Sequence, residues 1–182
     1  RVIHALDGEI ITKELITHIT TEKGRLLADT KRDILTITVI NRYEDAPPVS
    51  ALIHGFGLSH GAIASCVGHD THNIIAVGCD TNSLAKAVNI IIENRGGISA
   101  VGNDREIFLP LPFAGIMSGD EGSLVGKQYA ELDRFTKDVL GSCLGAPYMT
   151  LSFMALLVIP DLKLSDKGLF SGKEFRFVDS FI

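Results

Sequence analysis

The segment from Ile34 to Ile40 constrains the fold most strongly, because every residue in it except Leu35 is β-branched. Such side chains are restricted in a helix and pack well on a pleated sheet, so the segment predicts a strand. The turn-forming residues 41–48 end it. Further apolar segments next to glycines predict neighbouring strands at residues 50–53, 61–67 and 73–78. The residues of the 61–67 segment are small or apolar, which suits a strand buried on both faces.

Two segments have the apolar spacing of amphipathic helices. The first follows good capping residues at 80–83 and ends at the glycine pair 96–97. The second covers residues 121–140. Between them, residues 98–101 and 106–109 predict a hairpin. The sequence therefore predicts a single α/β domain over the whole chain, with a mixed or antiparallel sheet and two principal helices.

The C-terminal part of the chain holds an apolar segment at residues 148–159 and a strand-like stretch at residues 174–178. The most apolar run, residues 151–160, has about half the length that a membrane-spanning helix needs. We therefore interpret it as core and predict no membrane association. The first residues show no signal-peptide pattern.

Composition narrows the class of protein further. The net charge is −5 and no basic run is present, which argues against nucleic acid as a partner because phosphate binding needs a basic patch. The 3 cysteines are an odd number, so we expect a reducing, cytoplasmic location rather than a disulfide framework. With 46% hydrophobic residues, the chain has apolar surface to spare for a partner.

The densest cluster of reactive side chains lies at residues 66–73, between two predicted strands. It contains His69, Asp70 and His72, followed by Asn73. An imidazole titrates near neutral pH, and an adjacent carboxylate orients it or raises its pKa. These residues are candidates for proton transfer or for hydrogen bonding a heterocycle.

The same cluster has three other interpretations. In the first, Asp70 and Asn73 satisfy backbone groups in a tight turn while the histidines are partly buried. In the second, Cys66, His69, His72 and Cys79 bind zinc, although their spacing matches none of the usual zinc motifs. In the third, Cys66 and His69 form a nucleophilic pair, which an extended strand opposes because residues three apart point to opposite faces. The H-x-E and P-C-x-x-C signature of zinc-dependent nucleobase deaminases is absent.

The segment from residue 109 to residue 118 is apolar but is broken by two prolines and a glycine. It predicts a loop able to close over an apolar ligand, with Phe113 and Met117 as apolar contacts and Ser118 as a polar, substrate-binding one. Core packing of an irregular connection explains it equally well. The glycines at 55, 57 and 61 do not have the spacing of a dinucleotide-binding loop and are interpreted as turn residues.

Short motifs spread along almost the whole chain occur together in one family. They are Asp33-Ile34, Asn41-Arg42-Tyr43, Gly55-Phe56-Gly57-Leu58, Gly61-Ala62-Ile63-Ala64-Ser65, His69-Asp70-x-His72-Asn73-Ile74-Ile75, Leu-Pro-Leu-Pro with Ala114-Gly115-Ile116-Met117-Ser118, Met149-Thr150-Leu151-Ser152-Phe153, and Ile159-Pro160 with Lys163 and Gly168-Leu169. In these motifs the chain resembles the C-terminal domain of adenine deaminases of the amidohydrolase superfamily. It departs from them at Cys66, Gly68 and Thr71, where the family has Ser, Ala and Ser.

The resemblance implies hydrolytic deamination of adenine to hypoxanthine and ammonia by a pair of divalent metals, iron or manganese, held in a (β/α)8 barrel. Such a barrel needs about 250 residues, and its His-x-His pair has no counterpart among this chain's 6 histidines. The resemblance thus implies an accessory domain that binds no metal and is inactive alone. Its implied partners are the barrel domain, adenine and further copies of the enzyme.

In that setting, we expect His69, Asp70, His72 and Asn73 to face the barrel mouth or to support a subunit interface. We also expect an exposed apolar patch around Phe113 and residues 148–159, where the barrel would lie. The alternative is a non-catalytic purine-binding, scaffolding or oligomerisation module.

Overall fold

A computed structural model describes residues 1–22 and 25–182 of the chain. Its strands are β1 (Val2–Ala5), β2 (Thr12–Leu15), β3 (Thr21–Glu22), β4 (Arg25–Leu26), β5 (Ile34–Ile40), β6 (Val49–His54), β7 (Ala62–Ser65), β8 (Ile74–Gly78), β9 (Gly97–Val101), β10 (Glu106–Pro110), β11 (Leu162–Ser165), β12 (Gly168–Ser171) and β13 (Arg176–Phe177). Its helices are α1 (Thr81–Glu93), α2 (Gly122–Asp138) and α3 (Pro147–Phe153), with a short 3-10 turn at Thr30–Arg32.

Eight strands form one sheet in the order β10-β9-β7-β8-β5-β6-β1-β2. Neighbours in this sheet are antiparallel except β1 and β6, which are parallel. The sheet is therefore mixed, which is one of the two arrangements that the sequence predicted. A second sheet joins β11, β12 and β13, and a third pairs β3 with β4.

The sheet is packed on both faces. α1 packs against β7, β8 and β9 on one face. The other face forms the main core, together with side chains of α2, α3 and the smaller sheet of β11 and β12. Alternation along β5 sends Leu35, Ile37 and Val39 into this core. All residues of β7 are buried, which confirms the prediction of a strand covered on both sides.

The bounds of the first helix follow from local chemistry. The Asp80 carboxylate accepts hydrogen bonds from the backbone N–H of Ser83 at 2.8 Å and from its hydroxyl at 2.7 Å, which caps the start of α1. The helix ends before Gly96, whose φ of +134° suits a residue without a side chain. A Cβ at residue 96 would lie 2.2 Å from the Cα of Gly115, so the two backbones can approach this closely only because residue 96 is glycine.

Three sequence-based predictions need correction. The apolar segment 148–159 contains all of α3 except its first residue, Pro147, and this helix was not predicted. Residues of this segment are buried in the main core, namely Tyr148, Leu151 and Met154. The prediction that residues 148–159 form an exposed apolar patch was therefore wrong for most of the segment. The C-terminal strand is shorter than predicted. The sequence predicted a strand at residues 174–178, whereas β13 has only two residues.

Candidate functional site

The His-containing loop, residues 66–73, connects β7 to β8. It lies where these two inner strands end, at one end of the strands of the large sheet. The antiparallel pairing of β8 with β5 places Ile74 opposite Ile40. The residues that follow β5, Arg42 and Tyr43, therefore lie next to this loop. The start of β9 and the end of β10 lie at the same end of the strands, because β7 pairs antiparallel with β9 and β9 pairs antiparallel with β10.

Arg42 fixes the loop from the side. Its guanidinium group donates to the backbone oxygen of His72 at 3.0 Å and to that of Ala114 at 2.8 Å. Its backbone N–H donates to the side-chain oxygen of Asn73 at 3.2 Å. Space for the guanidinium comes from Gly115, where a Cβ would lie 2.5 Å from Nη2. A charged donor strengthens a hydrogen bond to a carbonyl oxygen, so Arg42 joins three chain segments.

Tyr43 supports the tip of the loop. Its hydroxyl donates to the backbone oxygen of Thr71 at 2.7 Å, while 67% of the residue remains exposed. The Arg42 guanidinium lies 5.8 Å from the centre of the Tyr43 ring. The ring therefore offers a large, exposed aromatic face beside Asp70 and Thr71, which are themselves exposed.

His72 is held in a defined orientation. Its backbone has a φ of +53°, in the left-handed region, and its N–H donates to the oxygen of Gly68 at 2.8 Å. Its ring Nδ1 accepts a hydrogen bond from the backbone N–H of Gly68 at 3.3 Å. A neutral imidazole that accepts at Nδ1 carries its proton on Nε2. The half-buried ring thus has a fixed tautomer with an Nε2–H donor.

His69 is anchored to α3. Its ring packs at 4.7 Å from the ring of Phe153, measured between centroids. Its backbone N–H donates to the oxygen of Ser152 at 2.9 Å. His69 is half-buried as a result, and its position depends on that of α3.

The two residues predicted to bind substrate occupy different environments. Asn73 is 3% exposed, and its side-chain oxygen is the acceptor used by Arg42. Ser118 is half-buried, and its hydroxyl accepts a hydrogen bond from the N–H of Asp120 at 3.1 Å. The loop that carries Ser118 reaches the His-containing loop through Ala114 and Gly115. Its apolar residue Phe113 is 56% exposed.

Cys66 has a structural environment. Its thiol donates to the backbone oxygen of Gly115 at 2.7 Å, and its sulfur accepts from the N–H of Gly97 at 3.0 Å. Burial raises the pKa of the thiol, which disfavours the thiolate that a nucleophile needs. The Cys66–His69 pair considered from the sequence therefore lacks support in this geometry.

The zinc arrangement considered from the sequence is also not formed. Cys79 follows the end of β8, whereas His72 precedes its start, and a strand of this length separates them by about 16 Å. Burial, followed by the charge of Asp80, raises the pKa of Cys79 to about 12. Across residues 1–22 and 25–182, no three His, Cys, Asp or Glu side chains are placed to hold a metal ion together. The iron or manganese pair implied by the resemblance therefore does not fit within this part of the chain.

Sequence reasoning identified the histidines but not the residues that position them. Arg42, Tyr43 and Gly115 were assigned to turns or to the family motifs, without a role at the loop. Their contribution depends on the pairing of β5 with β8, which lies outside local sequence patterns. The sequence signal for Arg42 and Tyr43 was their position in the segment Asn41-Arg42-Tyr43, which directly follows a buried strand.

None of the helices in the described residues is both long and apolar enough to cross a membrane.

Comparison with known proteins identifies relatives along the whole chain. A family model described as the adenine deaminase C-terminal domain matches residues 9–176. The adenine deaminase of Sulfurovum sp. (strain NBC37-1) is 56% identical over 179 residues, which is 98% of this chain and 32% of that protein. The adenine deaminases of Salinibacter ruber and Methanosarcina barkeri are each 48% identical over 100% of this chain and 33% of their own length. This chain spans about one third of the length of these relatives, and it belongs to the adenine deaminase C-terminal domain family.

Proposed function

We propose that this chain acts as the C-terminal domain of an enzyme that hydrolyses adenine to hypoxanthine and ammonia. The names of its relatives support the reaction, and the match to about one third of their length supports the role of one domain within a longer enzyme. In this proposal, the preceding barrel domain holds the iron or manganese pair and binds adenine. The enzyme is cytoplasmic and homo-oligomeric in the same proposal.

The observation that carries the proposal is the His72 ring, which is half-buried and held in a fixed tautomer on a loop whose tip, Asp70 and Thr71, is exposed. Its Nδ1 is already occupied by the Gly68 N–H, so Nε2–H is the group available to a ligand. The ring nitrogens of a purine carry lone pairs that accept from such a donor. Asp70 lies two residues away, is exposed, and adds an acceptor for an amino group or a water molecule.

Hydrolytic deamination also requires proton movement. Water adds at C6 of adenine and loses a proton, while the departing amino group gains one and leaves as ammonia. Imidazole and carboxylate groups are the side chains that most often move such protons in enzymes, and this loop contains His69, Asp70 and His72. We assign these three residues a supporting role in catalysis at the edge of the barrel, with Asn73 and Ser118 as residues that shape the substrate side.

A second candidate function is a scaffolding, oligomerisation or purine-binding module without catalysis. The packing of His69 on Phe153 and the burial of Asn73 favour it, because both side chains already have structural partners. In that case, the loop would contribute stability rather than rate.

The proposed reaction is tested with two purified proteins: the full-length chain, and residues 1–182 alone. We expect the full-length protein to form hypoxanthine and ammonia from adenine in equal amounts. We expect residues 1–182 to stay at background with added iron or manganese, because the described residues do not form a metal site. Turnover by residues 1–182 alone, or no turnover of adenine by the full-length protein, would contradict the proposal.

A further inference from the structure

One face of the large sheet is only partly covered by α1. The helix packs against β7, β8 and β9, whereas β5 and β6 continue the same face beyond it. Alternation along β5 places Thr36 and Thr38 on this face, opposite the side chains that enter the main core. The helix and these two strands enclose a groove of about 650 Å³.

The groove has an uncharged and largely apolar lining. Leu52, Leu84 and Val88 form its floor and wall, and Ile92 and Phe181 are 52% and 64% exposed at its rim. None of the residues that line it carries a charge. An exposed apolar patch of this kind on a soluble domain marks a surface for another protein segment, and it offers no partner to an ionic ligand.

The first residue of the chain lies beside this groove. The backbone nitrogen of Arg1 donates to the backbone oxygen of Ser180 at 2.6 Å. Leu52 and Phe181 line both the groove and the adjoining pocket that contains Arg1. A polypeptide joined to Arg1 therefore starts at the mouth of the groove.

The relatives are longer than this chain, and their additional length includes a segment able to occupy the groove. This chain matches 32–33% of their length, and the family description places the match at the C-terminal end. About two thirds of such an enzyme therefore precedes this domain.

Strand β5 connects the groove to the His-containing loop. Ile40 at the end of this strand lines the groove, and Arg42, which fixes the loop, follows two residues later.

We propose that the groove between α1 and the β5–β6 face docks the polypeptide that precedes residue 1 in the full-length enzyme. This inference rests on the proposed function, because it treats the chain as the C-terminal part of a longer protein. The docked segment covers Ile92 and Phe181 and holds the N-terminal domain beside the same strand that leads to Arg42. The groove thereby sets the position of the His-containing loop relative to that domain.

Cysteine labelling of the full-length enzyme tests the docking. Ile92→Cys reports on the groove, and Leu124→Cys is the matched control, because Leu124 is a helical residue with 47% exposure at the start of α2, whose helix packs on the other face. Both are made in a Cys143→Ser background, since Cys143 is exposed. Labelling by a maleimide is followed at each position by peptide mass spectrometry, with the urea-unfolded protein as the reference. Adenine turnover is measured on the same variants.

We expect residue 92 to label at least about tenfold more slowly than residue 124, at every protein concentration. Equal rates at the two positions overturn the proposal. Protection of residue 92 that disappears on dilution also overturns it, and identifies a second copy of the enzyme as the occupant. Because labelling does not depend on activity, either result is distinguishable from failure of the proposed reaction, which the turnover assay reports separately.

Discussion

The guanidinium group of Arg42 lies 3.0 Å from the backbone oxygen of His72, so a residue that follows one strand fixes a loop between two others. The same group also reaches Ala114 at 2.8 Å. The orientation of the His72 ring thus depends on a contact between segments 30 residues apart in sequence.

Replacing Arg42 by Met should loosen the His-containing loop. The variant loses two charge-assisted hydrogen bonds, so we expect the free energy of unfolding of the chain to fall by about 1–3 kcal/mol. Urea denaturation measures this change. Arg176→Met is the matched control, because Arg176 forms an exposed ion pair with Glu174 that is worth at most about 1 kcal/mol. Equal losses for the two variants would contradict the role assigned to Arg42.

Replacing Cys66 separates a packing role from a chemical one. Cys66→Ser keeps a donor for the oxygen of Gly115 and an acceptor for the N–H of Gly97, so we expect a change in unfolding free energy of about 1 kcal/mol or less. Cys66→Ala removes both contacts and should cost about 1–3 kcal/mol. Adenine turnover by the full-length enzyme should be retained in Cys66→Ser. Abolished turnover in a stable Ser variant would instead indicate a thiol that takes part in the reaction.

Lys163 should make the stability of the chain depend on pH in the alkaline range. Its ammonium group is buried and donates to the backbone oxygen of Ile10 at 2.8 Å. Burial lowers the pKa of Lys163 from 10.5 to about 8. Above this lowered pKa, the unfolded chain binds more protons than the folded chain, so the contribution of Lys163 to the free energy of unfolding rises with pH between about 8 and 10.5.

Urea denaturation between about pH 8 and 9.5 measures this slope, and the upper limit keeps the measurement below the usual pKa of tyrosine. Lys163→Met should flatten it, whereas Lys31→Met, at an exposed lysine, should not. An unchanged slope in Lys163→Met would show that the ammonium group is not protected from solvent as the structure indicates.

The sequence predicted the parts of the fold that local patterns encode. The β-branched run of β5 and the capped, periodic segment of α1 were both confirmed. α3 was missed because it has only seven residues and lies in a mostly apolar segment, where helical periodicity is not visible. The Pro147 at its first position was the only local sign of a helix start.

The candidate site was predictable only in part. His69, Asp70 and His72 stand out by residue type, and they do lie together on one loop. The roles of Arg42 and Gly115 depend on which strands are neighbours, and strand order is set by long-range packing. The burial of Asn73 likewise follows from its contact with Arg42, a residue distant in sequence.

Turnover of adenine by His72→Asn in the full-length enzyme tests the catalytic role assigned to the His72 imidazole. Asn adopts the left-handed backbone of residue 72 readily, and its side-chain oxygen replaces Nδ1 as the acceptor for the Gly68 N–H, so the loop should keep its shape while the imidazole is lost. His60→Asn is the matched control. His60 precedes β7 and therefore lies at the other end of this strand from the His-containing loop. We predict that turnover falls by about a hundredfold or more in His72→Asn, with metal content and melting temperature unchanged, and that His60→Asn keeps full activity. Unchanged turnover together with a lower melting temperature in His72→Asn would contradict this role and leave the loop a structural role only.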